Sequence, residues 1–123
     1  MKANEFVKKF GWGWAKRVIE LTIGNSWADH YDIKEDSIGT AGTIYSKKLC
    51  EHNDNFVCLR NLKRLVDSHE LVSNFGGLKR AKRILKKAYT SFNTMISVVW
   101  NDNPFQCTIQ KLEQAIADVE SCQ

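Results

Sequence analysis

A mainly α fold, with an α+β arrangement as the alternative, is what this 123-residue sequence predicts. Three observations lead there. Apolar residues recur at three- and four-residue steps over most of the chain, glycine pairs and a single proline punctuate those runs, and two short stretches between residues 43 and 59 are rich in β-branched or aromatic residues. The length suits one domain, 1–123, able to bury a core without disulfide staples. A composition of 43% apolar and 26% charged residues excludes a disordered or collagen-like chain.

The first helix is expected over residues 4–21. Phe6 or Val7, Phe10, Trp14, Val18 and Leu21 form one stripe, and Asn4 stands where a cap would. Gly11 and Gly13 interrupt it, each costing about 1 kcal/mol against alanine, so a bend or a close approach is expected there. Residues 22–43 lose the period between two breaker clusters, Gly24-Asn25-Ser26 and Gly39-Thr40-Ala41-Gly42, and read as loop with room for one short turn of helix. A short hairpin is expected within 43–59, from Thr43-Ile44-Tyr45-Ser46 and Phe56-Val57-Cys58-Leu59 around the turn chemistry of His52-Asn53-Asp54-Asn55. A helix starting near Asp54 is the competing expectation.

From Arg60 onward the helical period is strong. Leu62, Leu65, Val66, Leu71, Val72 and Phe75 define a helix over 60–74 that Gly76-Gly77 ends. A longer helix is expected over 78–99, with Leu78, Ala81, Leu85, Ala88, Tyr89, Phe92, Met95, Ile96 and Val99 inward and Asn101-Asp102-Asn103-Pro104 as its stop. The last helix, 108–121, carries Ile109, Leu112, Ile116 and Val119 on one face behind a Thr108 cap. It is acidic where its predecessor is basic, which predicts that the two form a C-terminal helical hairpin.

Charge is unevenly spread. The net charge is +4, yet residues 61–100 alone hold eight basic and two acidic side chains, a net of +6. Six of the bases are Lys79, Arg80, Lys82, Arg83, Lys86 and Lys87. At 100° per residue they cover an arc of roughly 160° opposite the apolar face. Thr90, Asn93 and Thr94 prolong it. A solvated face accounts for such an arc in the ordinary case, but a solvated face usually mixes signs to gain i,i+4 pairs, and this one does not. The arc is therefore the candidate surface for phosphates or for an acidic protein. A helix-turn-helix reader fits poorly, because the second helix is long and no Asn or Gln stands in its first turns.

The remaining chemistry is sparse. Cys50, His52 and Cys58, with Cys107 or Cys122, lack the tight pair of a zinc site, so reduced thiols and no metal or cofactor are expected. Ser68-His69-Glu70 is a triad only in text, since neighbouring helical residues diverge. Asp29-His30 has no nucleophile or phosphate loop beside it, and no glycine-rich fingerprint is present, so an enzyme is not expected. In Gly11-Trp12-Gly13-Trp14, Trp14 fits the apolar stripe and Trp12 does not. Trp12 is thus either a partner-binding anchor or a plug on the 22–43 segment. The opening residues lack the apolar run of a signal peptide, and no apolar stretch nears the roughly 18–20 residues of a membrane span, so a cytoplasmic location away from membranes is expected.

Three stretches carry a resemblance: Met1-Lys2-Ala3-Asn4-Glu5-Phe6-Val7; Leu62-Lys63-Arg64-Leu65-Val66 with His69-Glu70-Leu71-Val72 and Gly76-Gly77; and Gln114-Ala115-Ile116-Ala117-Asp118-Val119-Glu120-Ser121. Together they resemble small accessory proteins encoded among the early genes of lambda-like enterobacterial phages and prophages. The resemblance spans both ends and the middle and weakens over residues 22–50. It ties to no catalytic residue. It implies a bacterial host cytoplasm and a product that binds and modulates a host macromolecule, protein or nucleic acid. The nucleic-acid alternative is a regulator using the basic helix face. A homodimer through the C-terminal helices is left open.

Overall fold

A computed structural model describes residues 1–91, 95–100 and 103–123, leaving aside the side chains at 43, 44, 98–100 and 103–105. The described chain is α+β and mostly helical, with five helices and two small antiparallel sheets. It divides into two compact units, residues 1–66 with Cys122 and residues 67–121 with Gln123. No helix among the described residues is long and apolar enough to cross a membrane.

The first unit opens with α1, Ala3–Leu21, which is broken at Gly11. Gly11 has φ 86° and ψ 167°, a region essentially reserved for glycine. The break moves the inward face by about one residue. Ala3, Phe6 and Val7 are buried before it, and Ala15 and Val18 after it. Trp12 packs partly buried against this core, whereas Trp14 is 40% exposed. This corrects the straight stripe, which placed Trp14 inside and Trp12 out. The stripe assumed a constant 100° step, and Gly11 does not take it.

Residues 22–43, expected as loop, contain two strands. β1 (His30–Asp32) is the centre of a three-stranded sheet between β2 (Ser37–Gly39) and β3 (Phe56–Cys58). Tyr31 pairs with Ile38 on one side and Val57 on the other. Tyr31 and Val57 are fully buried, and Phe6 meets the Tyr31 ring edge-on at 6.1 Å. The expected hairpin over 43–59 does not form. Thr43–His52 is a helix, α2, and β3 finds its partner in β1 instead. Strands of three residues are too short to leave a period, so only tertiary pairing reveals them.

α3, Leu59–Asn74, follows directly. Its end is the expected glycine stop: the Gly77 amide donates to Val72 O and the Gly76 amide to Ser73 O, the Schellman pairing, with φ 93° at Gly76. In the second unit α4 covers Leu78–Ser91 and α5 covers Ile109–Ser121, and the two pack together as the charge pattern predicts. The Ser68 hydroxyl donates to the buried Asp118 carboxylate at 2.7 Å, joining α3 to α5 within this unit.

The helix expected over 78–99 stops at Ser91. Met95–Trp100 is β4, paired from Met95↔Thr108 to Trp100↔Asn103 with β5, Asn103–Thr108. The run Met-Ile-Ser-Val-Val-Trp is rich in β-branched and aromatic residues, and its short apolar spacing satisfies either period. A partner strand beyond Trp100 decides for the sheet, with Ile96 and Cys107 opposed and both buried. Phe92, Asn93, Thr94, Asn101 and Asp102, invoked for the longer helix and its stop, lie outside the described residues.

Candidate functional site

Of the six bases on α4, Lys79, Lys82, Arg83, Lys86 and Lys87 are exposed and Arg80 is half-buried. Ala81 and Ala88 face inward on the opposite side. Arg80 lies over Gly76, where an added Cβ would come within 2.5 Å of its Cδ. The stripe Lys79, Arg83, Lys86 and Thr90 runs down the middle of the exposed arc, about 16 Å long at 1.5 Å rise per residue.

Acidic side chains of α5 meet one edge of this arc. Lys82 Nζ lies 2.6 Å from Glu120 of α5, and the Tyr89 hydroxyl donates to Glu113, one heptad earlier on the same helix. That bond, then burial, pushes the Tyr89 phenol above its ordinary value. Among the described residues Lys79, Arg83, Lys86 and Lys87 have no carboxylate partner.

Placement of these charges opposes the stability of the helix. Lys79 and Arg80 stand at the amino end of α4, where the helix dipole is already positive, and neither an acid in the first turn nor a base in the last offsets it. Gly77, whose carbonyl accepts the first helical bond from Ala81, has no side chain to cap the end. Six like-charge pairs stand three or four residues apart: 79–82, 80–83, 83–86, 79–83, 82–86 and 83–87. At about 0.2–0.5 kcal/mol each, their repulsion amounts to on the order of 1–3 kcal/mol. An anion laid on the face relieves it.

Charges in the first unit are arranged otherwise. The Asp29 carboxylate accepts from His30 Nδ1 at 2.7 Å, from the Gly42 amide at 3.0 Å and from the Ala41 amide at 3.1 Å. Burial raises its pKa, but the bonds from His30 and those two amides outweigh it, and the carboxyl is held below its ordinary value. The sequence pair Asp29-His30 is therefore a clamp on the entry to α2. Asp36 accepts from Arg17 at 2.8 and 3.0 Å and from the Tyr31 hydroxyl, and these bonds likewise lower its pKa.

A cavity of about 770 Å³ in the first unit is lined by Lys2, Asp29, Lys47, Cys50, Glu51 and Cys58 among others. Burial, then the neighbouring Cys58, pushes the Cys50 thiol up, away from the thiolate a nucleophile needs. Burial does the same to Cys107. Among the described residues no group of three or more His, Cys, Asp or Glu side chains is placed to hold a metal ion.

Trp12, named from sequence as either an anchor or a plug, is partly buried against the core of the first unit. The exposed apolar side chains of the first unit include Trp27 at 55% and Ile23 at 77%, in a stretch expected as loop. Their signal was available only as large apolar residues with no period to bury them. Compared with protein-family models, with curated proteins and with solved structures, the chain has no significant match in any of the three.

Proposed function

We propose that this chain is a non-enzymatic accessory protein that binds and modulates an anionic macromolecule of a bacterial host through the basic face of α4. The observation that carries the reading is the exposed single-sign arc, on which Lys79, Arg83, Lys86 and Lys87 have no carboxylate partner among the described residues. A face that only solvates the helix gains from mixed signs, and this one forgoes that gain at the helix end where positive charge is least favourable. The resemblance to small early proteins of lambda-like phages and prophages supports the host context and a cytoplasmic setting. A non-catalytic role agrees with thiols pushed toward the protonated form and with Ser68 committed to Asp118.

Salt elution from immobilised heparin, a polyanion of no particular sequence, tests the face. Wild-type protein is expected to elute at clearly higher salt than the Arg83→Glu/Lys86→Glu variant. Equal elution of the two would remove the basic face as the binding surface.

A further inference from the structure

We infer that the α4 face binds the sugar-phosphate backbone of a nucleic-acid duplex, without reading its sequence. This rests on the proposed role of the face as an anion-binding surface and names its partner class.

Four observations favour phosphates over an acidic protein or a single strand. First, the middle of the arc is Lys79, Arg83, Lys86 and Thr90, with no apolar or aromatic side chain. Protein interfaces draw their energy from buried aromatic and aliphatic anchors and are depleted in lysine, so this face is poorly made for one. Second, the aromatic side chain at its edge, Tyr89, is held by Glu113. No aromatic platform lies along the arc, and single-strand binders depend on such platforms for stacking. Third, the exposed donors are ammonium and guanidinium groups, which contact phosphate oxygens, while the Thr90 hydroxyl donates to Lys87 O within the helix. Asn and Gln, which pair with adenine, are absent from α4. Fourth, α4 is straight enough in composition to present its stripe as one row: it contains no glycine or proline.

The amino end of α4 adds to the same field, because the amides of its first turn precede the first helical bond at Ala81. The geometry thus supplies phosphates with four cations that have no carboxylate partner among the described residues, three in the central row and Lys87 beside it, plus a helix dipole. Neutralising four phosphates on B-form DNA releases counterions with a log–log salt slope of about −3.6. That slope corresponds to a loss of about 150-fold in affinity between 50 and 200 mM salt.

The test is a fluorescence-anisotropy titration of the full chain at 50, 100 and 200 mM NaCl. Four probes are used: two labelled 24-base-pair duplexes of unrelated sequence, one of their single strands, and labelled polyglutamate. Wild-type protein and an Arg83→Gln/Lys86→Gln variant are compared, with circular dichroism to show that both are folded. The expected result is binding of both duplexes within about twofold of each other, a slope near −3.6, and a variant slope near half of it. Binding of polyglutamate in preference to the duplexes would overturn the inference and leave the anion-binding face standing. A tenfold preference for the single strand, or for one duplex over the other, would overturn the backbone reading in the same way. No binding of any probe at 50 mM salt, or equal binding by the variant, would remove both the inference and the function it rests on.

Discussion

Acidic and basic side chains meet in both units of this protein, but they are used in opposite ways. In the first, Asp29 and Asp36 are surrounded by donors: an imidazole and two amides for one, a guanidinium and a phenol for the other. Their charge is spent inside the molecule, holding α2 and the β1–β2 turn. In the second, acids of α5 meet one edge of the basic arc, through Glu120 and Glu113, and four cations face outward without such partners among the described residues. The contrast separates charge that maintains a shape from charge kept available. A group whose pKa is displaced by several neighbours marks the first kind, and a row of like charges placed against a helix dipole marks the second.

Removing the core beneath the first arrangement is expected to have the largest effect. Phe6→Ala deletes a fully buried ring that touches Phe10 and Tyr31, and should cost about 3–5 kcal/mol in urea unfolding. A loss under about 1 kcal/mol would mean that Phe6 is not central to that core. The Asp29 clamp comes next. Asp29→Asn should cost about 1–3 kcal/mol at pH 7, where the carboxylate is charged and bonded. Because the folded pKa is lowered, the contribution of Asp29 is complete above the unfolded value of about 3.9 and is lost as pH falls through the folded one. The gap between wild type and variant should therefore close toward pH 2. A gap that is unchanged from pH 7 to pH 2 would show that the charge of Asp29 contributes nothing.

Two glycines test the break in α1 with opposite signs. Gly11→Ala forces a side chain into a glycine-only region and should destabilise by about 1–3 kcal/mol. Gly13 is helical, with nothing within 4 Å of an added Cβ, so Gly13→Ala should stabilise by about 0.5–1 kcal/mol. Stabilisation by both substitutions would argue for a continuous helix with Trp14 inward. The smallest effect separates the two kinds of charge directly. Lys79→Glu places an acid at the amino end of α4 and removes two like-charge pairs, so it should stabilise the second unit by about 0.5–1 kcal/mol while weakening polyanion binding. Segment-resolved hydrogen exchange over α4 would read the first effect and heparin elution the second. Loss of stability on Lys79→Glu would mean that the positive arc is not under strain.

How far the sequence carried depended on element length and on neighbours. The helices that became α1, α3 and α5 were legible, since each is 13 residues or longer and repeats its apolar stripe. Gly76-Gly77 marked the end of α3 because a Schellman turn requires positive φ. The basic face was also legible, as an arc on a helix follows from residue spacing alone. Tyr31 at the centre of the first core was not, because a three-residue strand has no period and its partners lie 7 and 26 positions away. Met95–Trp100 was misread for a related reason: its residues fit either period, and only the opposed β5 settled the matter.

Sequence by itself determined the helical class, the helix stop at Gly76-Gly77 and the single sign of the α4 arc, since these depend on local backbone freedom and angular spacing. Tertiary structure decided the rest: which tryptophan faces the core, which short segments are strands, and which cations keep a carboxylate neighbour. Those outcomes depend on distances between residues far apart in the chain, and a one-dimensional pattern does not contain such distances.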